Sequence, residues 1–227
     1  MRMEVRKKGD DEVSLKGKNR AFYSYQNKDC SFKNYSYKNF DKADCYRTNF
    51  RGAIFDGASF RATKVKFCNM SEAHFDGTEF IGTNLRGTKF YNAIFTNVII
   101  NSVTTDKTWF VGAHFHHCII VANLNKMAGI NIDENDNIIM SQHKSVDISA
   151  KLIKCAQDII ASSEVRNSVI ANKGKQVNKI TLLMLLYDFS EEELIQYLPK
   201  VIAESPKDCT VSYLRKQLKK IINSSNI

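Results

Sequence analysis

No apolar run in this 227-residue sequence is long enough to cross a bilayer, and TLLMLLY at 181–187 stops well short of the roughly 20 residues a spanning helix needs. Residues 1–29 open MRMEVRKKGDDEVSLKGKNR and hold no apolar core of a secretory leader, so the expected setting is cytoplasmic. The six cysteines, at 30, 45, 68, 118, 155 and 209, form no CxxC pair; four of them fall at apolar positions of the repeat described next. They read as reduced core residues, with disulfide or metal roles as the alternatives. There is no GxxxxGK[ST], HExxH or GxSxG, and no pair of carboxylates in a recognisable catalytic context, so no enzyme and no cofactor are expected. An acidic excess is missing too. The net charge is +9, divided as +3 in residues 1–29, +4 in 30–124 and +2 in 125–227.

What the sequence has instead is a period of five. Every fifth position from Cys30 to Ile120 is apolar except Thr105, as in FRGAIFDGASFRATK with Phe50, Phe55 and Phe60. Two places earlier runs a small or β-branched column that includes Ala53, Ala58, Thr63, Cys68, Ala73 and Thr78. Gly52, Gly57, Gly77, Gly82, Gly87 and Gly112 all fall two places after the large residue. A helix repeats near 3.6 and a half-buried strand at 2, so neither explains this rhythm. Five residues cannot fold alone, and a fixed short period marks a solenoid whose units stack. Residues two apart in extended backbone point the same way, which turns both columns inward. Glycine just beyond them sits where the chain turns a corner.

The stretch ATKVKFCNMSEAHFDGTEFIGTNLRGTKFYNAIF resembles the pentapeptide-repeat family. The resemblance implies a right-handed quadrilateral β-helix with four pentads per turn, here about five coils over residues 30–124. Residue i then lies against i+20 about 4.8 Å away, the spacing of hydrogen-bonded strands. Phe40, Phe60, Phe80, Ile100 and Ile120 would line one side, and Tyr35, Phe55, Phe75, Phe95 and Phe115 the next. Lys33 and Lys38 occupy the small column of the first pentads, which places the start of the coil proper near Phe40 behind a looser cap. VANLNK arrives one residue early and suggests that the coil is ending. Outward residues such as Arg61 should tolerate charge reversal.

The expected organisation is therefore a polar segment and cap over 1–29, the β-helix over 30–124, a polar connector over 125–144 and an α-helical domain over 145–227. The DENDN core of the connector lacks the glycine and glutamate of a calcium loop. The first helix is expected from a cap at Ser145 or Asp147 to a stop at Gly174, and the second over 176–187. The third should open with the Ser190/Glu193 capping box and be bent or ended by Pro199, and the last should be capped by Thr210.

Three features bear on function. HFHHC places His114 and His116 outward on either side of inward Phe115; they read as polar surface, with zinc or nickel binding as the alternative, and no metal residue is assigned. Lys64, Lys66, Arg86, Lys89 and Lys107 form a candidate basic face, while Asp56 and Asp76 make a small acidic stack. Ile81, Ile94, Ile99, Trp109, Val111, Ile119 and Val121 break the rule that outward positions are polar and form a candidate interaction surface, for helices docking in cis or for a homodimer. The family resemblance brings in DNA-mimic proteins that protect gyrase or topoisomerase, which need a negative surface, and secreted effectors that join such repeats to a second domain. The basic balance disfavours the first, and nucleic-acid binding is not expected. The reading favoured is a non-enzymatic scaffold with a rigid solenoid face, a helical docking or oligomerisation region and an unidentified protein partner.

Overall fold

The computed structural model describes residues 23–140, 147–162, 169–172, 176–206 and 209–225. Ser145 and Gly174 lie outside them. Backbone pairing is parallel and steps by twenty from the first turn: Ser24 bridges Asp44, Asp29 bridges Asn49, Asn34 bridges Ile54 and Asn39 bridges Ser59. Regular strands then occupy three turns. β1 (His74–Asp76) and β2 (Glu79–Ile81) pair with β3 (Ile94–Thr96) and β4 (Ile99–Asn101). These pair in turn with β6 (His114–His116) and β7 (Ile119–Val121), while β5 (Thr108–Trp109) lies on another side. The result is a four-sided β-solenoid.

Two expectations about its ends are corrected. Among the described residues the ladder is already present at Ser24, ahead of Phe40. Lys33 and Lys38 sit in a first turn with no turn before it among the described residues; Lys33 is exposed, and both give their carbonyls to the ladder, accepting from the N–H of Ile54 and Ser59. The coil also continues past Leu124. A short 3₁₀ turn, Leu124–Lys126, absorbs the one-residue deletion, after which β8 (Met127–Ala128) pairs with β5 and β9 (Ile138–Ile139) pairs with β7 at a spacing of nineteen. Most of the supposed connector is thus the last coil, and Asn137 is one of its buried residues.

Inside, ring lies on ring. Phe40–Phe60, Phe60–Phe80, Phe55–Phe75, Phe75–Phe95, Phe95–Phe115 and Phe90–Phe110 stack with centroids 4.6–5.3 Å apart and planes within 14°. The small column has a task that its size alone does not show. Thr63, Thr78, Thr83 and Thr108 each donate a hydroxyl hydrogen bond to the carbonyl of the inward residue 23 positions earlier, at 2.6–2.9 Å. Cys68 and Cys118 do the same with their thiols toward Cys45 and Phe95, and in the shortened last coil the Asn137 amide does it toward Phe115. Buried polar atoms are thereby satisfied. Corners are left-handed throughout, at glycine and at thirteen other residues. At Gly87 (φ +73°) the Phe67 ring lies where a Cβ would stand, so glycine is required there by both backbone and space.

The C-terminal region forms four helices: α1 (Ala150–Ser162), α2 (Lys179–Leu186), α3 (Glu191–Glu204) and α4 (Val211–Ser225). α1 is shorter than expected and begins at a different cap. Ser149 Oγ accepts from Leu152 N–H, and the Ser162 hydroxyl donates to the Ile159 carbonyl. α3 opens with the complete Ser190/Glu193 box and does not end at Pro199 but continues to Glu204. The carbonyl that Pro199 leaves without its usual donor, on Ile195, takes a long contact at 3.9 Å from the Cys155 thiol of α1. α2 is apolar all round and buried from Thr181 to Leu185. None of the described helices is long and apolar enough to cross a membrane.

Because the Phe60 ring is fully buried, Phe60→Ala should cost about 3–5 kcal/mol in urea unfolding. Arg86→Ala, at an exposed outward site, should stay within about 0.5 kcal/mol. All six cysteines are free; burial pushes the thiols of Cys68 and Cys118 up to about 12 and that of Cys45 higher. In the native protein a disulfide-exchange reagent should therefore label half-buried Cys155 first and leave these three until unfolding.

Candidate interaction surfaces

The side built on Phe60, Phe80, Ile100 and Ile120 carries the helices. Ile99 and Ile119 are 2% and 0% exposed and belong to one apolar cluster with Leu152, Leu182, Leu198 and Leu214, against which Ile81 and Val121 also pack. The other outward apolar residues are not brought there: Ile94 and Val111 are exposed, and Trp109 is half-buried on a different side. Ile54, not singled out from the sequence, is exposed on the side of Ile94, as the ladder neighbour of His74 and, through it, of Ile94.

At the edge of the covered side lies a buried charge that pattern reading missed. Glu79 is 1% exposed although its column is outward. One carboxylate oxygen accepts from both Nε and an Nη of Arg61, at 2.8 and 2.5 Å; the other accepts from the backbone N–H of Val211 at 2.6 Å. Val211 is the first residue of α4, so the solenoid itself caps that helix with an anion at the positive end of its dipole. Burial pushes the Glu79 carboxyl up, and the Arg61 guanidinium and the Val211 amide oppose it. Beside this contact α4 comes so close that Ser212 fills the space where a Cβ on Gly77 would stand. Further along, Lys216 lies over the Tyr37 ring at 5.3 Å. Arg61 is consequently not the neutral outward site expected: it is the counter-charge of a buried carboxylate.

The basic face is divided. Lys64 pairs in the ladder with Asp44 and Asn84, and Lys66 and Arg86 share its side; Lys89 pairs with Asn69 and Trp109 on the next side, and Lys107 stands at a left-handed corner. Lys64 also lies 3.8 Å from the Asp44 carboxylate. The acidic stack is partnered as well, since Asp56 meets His74 Nδ1 at 2.7 Å and Asp76 accepts from the Asn97 amide at 2.8 Å. His114 and His116 flank Phe115 as expected, but the residues brought together are His116, His117 and Asp136.

A four-sided parallel solenoid with a large inward column, a small inward column and left-handed corners defines the pentapeptide-repeat class. Residues 39–65 and 58–97 match the family described as Pentapeptide repeats, in eight copies. Residues 39–97 thus carry pentapeptide repeats, and a helical region follows the solenoid that holds them. No curated protein matches it. Solved structures similar to it include a pentapeptide repeat protein of the Arabidopsis thaliana thylakoid lumen, 23% identical over 45% of this chain and 70% of that one, TM-score 0.41. Another is Rfr23 from the cyanobacterium Cyanothece 51142, 15% identical over 52% and 88%, TM-score 0.39. A third is QnrB1, a plasmid-mediated fluoroquinolone resistance protein, 15% identical over 45% and 70%, TM-score 0.27.

Breaking a buried ion pair from one side leaves an uncompensated charge, typically a loss of about 3–5 kcal/mol. Arg61→Ala should therefore release α4 from the solenoid, seen as faster hydrogen exchange at Val211–Leu214 with the exchange of the Phe75–Phe95 ladder unchanged. Ile99→Lys combined with Ile119→Lys should have the same local effect.

Proposed function

We propose that this protein is a non-enzymatic scaffold for protein–protein contact, in which the solenoid supplies a rigid face and the helical region is docked in cis. The observation that carries this reading is the filled interior: stacked phenylalanines occupy the axis, so the solenoid offers faces and edges in place of a central substrate cavity. The helices cover Ile99 and Ile119, while Ile94 and Val111, with half-buried Trp109, stay among the apolar residues open to a partner, as do Phe32, Ile54 and Phe67. A homodimer could use such residues, or exchange helices between copies. The absence of a qualifying membrane-spanning helix among the described residues is compatible with a cytoplasmic setting, and with delivery to a host as the alternative.

The second reading is protection of gyrase or topoisomerase. It draws only on the family, and the charge opposes it: the sequence carries +9, and the two aspartates best placed to imitate phosphates are engaged by His74 and Asn97. A protein that competes for a positive DNA groove needs the opposite sign.

The readings separate in two measurements. Under the scaffold reading, purified protein leaves gyrase supercoiling and quinolone-stabilised cleavage unchanged, and Ile94→Glu with Val111→Glu abolishes a specific partner contact while the fold is retained. Protection of gyrase in the cleavage assay would reverse the ranking.

A further inference from the structure

We propose that His116, His117 and Asp136 form a binding site for a divalent transition metal of the zinc class, at the corner where the solenoid meets the helical region. The corner column runs Tyr37, Gly57, Gly77, Asn97 and His117, and all five have φ between +49° and +66°. The left-handed conformation is the ordinary corner of this solenoid, and at His117 it places an imidazole there. That turn brings the His117 ring back over His116, with centroids 3.8 Å apart and planes 27° from parallel. The other face of His117 lies on Tyr187, directly after α2, at 4.9 Å and 21°. The ring is therefore held between two others.

The third ligand comes from the shortened last coil. Because β9 pairs with β7 at a spacing of nineteen, Asp136 falls opposite His117. One Asp136 oxygen lies 2.7 Å from His116 Nδ1 and the other 3.4 Å from His117 Nε2. The three ligand atoms all lie within 4.8 Å of one another. Tetrahedral zinc with bonds of about 2.0–2.1 Å places its donors roughly 3.3 Å apart. The separation of Asp136 Oδ1 from His117 Nε2 already matches that value, and with the three donors all within 4.8 Å of one another a small side-chain adjustment completes the set. Two imidazoles and a carboxylate are a zinc-type donor set, with a fourth position left to water.

The molecule contains its own comparison. His74 and Asp56 make the same 2.7 Å contact one side-chain pair at a time, with no second imidazole in the cluster, and His114 stands in the other outward column of its strand. These are ordinary surface histidines. The site is distinguished by His117.

The test is titration of the full chain with zinc by calorimetry, and with cobalt by visible absorption, which reports tetrahedral coordination. One equivalent should bind more tightly than roughly 10 µM. His117→Gly removes a ligand while placing at this corner the residue used at Gly57 and Gly77, so the fold is kept; it should weaken binding at least about tenfold, and Asp136→Asn likewise. His74→Ala and His114→Ala should leave affinity unchanged. Binding weaker than roughly 10 µM, binding unaltered by His117→Gly, or binding lost equally in His114→Ala would each overturn the site.

Discussion

The molecule depends on one contact repeated along its axis: a phenylalanine lying flat on the phenylalanine twenty residues later. Rings 4.6–5.3 Å apart match the spacing of parallel strands, so side-chain stacking and backbone hydrogen bonding demand the same rise per turn. Each buried ring is worth roughly 1.5–3 kcal/mol relative to exposure, and strands of only two or three residues can be held because the core beneath them repeats. The threonine hydroxyls add direction. By reaching a carbonyl 23 residues back they tie the corner of one turn to the floor of the turn before it.

The docking of the helices follows from the same repetition. A column that is polar in the early turns, Asn39 and Ser59, becomes Glu79, Ile99 and Ile119 further on. A solenoid side can change from solvent surface to interface within one turn, because each turn contacts only its neighbours. Glu79 marks the boundary. It faces polar rungs on one side and apolar rungs on the other, and its two oxygens divide between Arg61 of the solenoid and the first amide of α4. The contact specifies where the helix begins more sharply than apolar burial does, since a carboxylate accepts a hydrogen bond only along particular directions.

The five-residue period, the inward columns and the helix over Val211–Ser225 were legible because apolar periodicity is a local property. The role of Glu79 was not, since in the sequence it is an outward glutamate like Glu72; only the fold places Val211, 132 residues later, against it. The threonine column was visible as small residues, yet its hydrogen bonds span 23 positions and leave no short-range signal. Pro199 carried a strong local signal that tertiary packing overrode. The buried neighbours Leu194, Leu198, Val201 and Ile202 hold the helix through it. At the histidines the extended pattern correctly put His114 and His116 outward, while the left-handed turn that brings in His117 and the deletion that brings in Asp136 are visible only in three dimensions.

The 3₁₀ turn at Leu124–Lys126 has a consequence for how such a wall changes length. Elsewhere, adding or losing a residue would rotate every later ring out of the core. Here the missing residue is taken up within one corner, and the ladder resumes at Met127 with its pairing intact. That corner is a seam. Insertions that would destroy the coil at other places have a site here where the chain changes frame and recovers, so new loops within the last turns of the solenoid would be accommodated at this turn before any other.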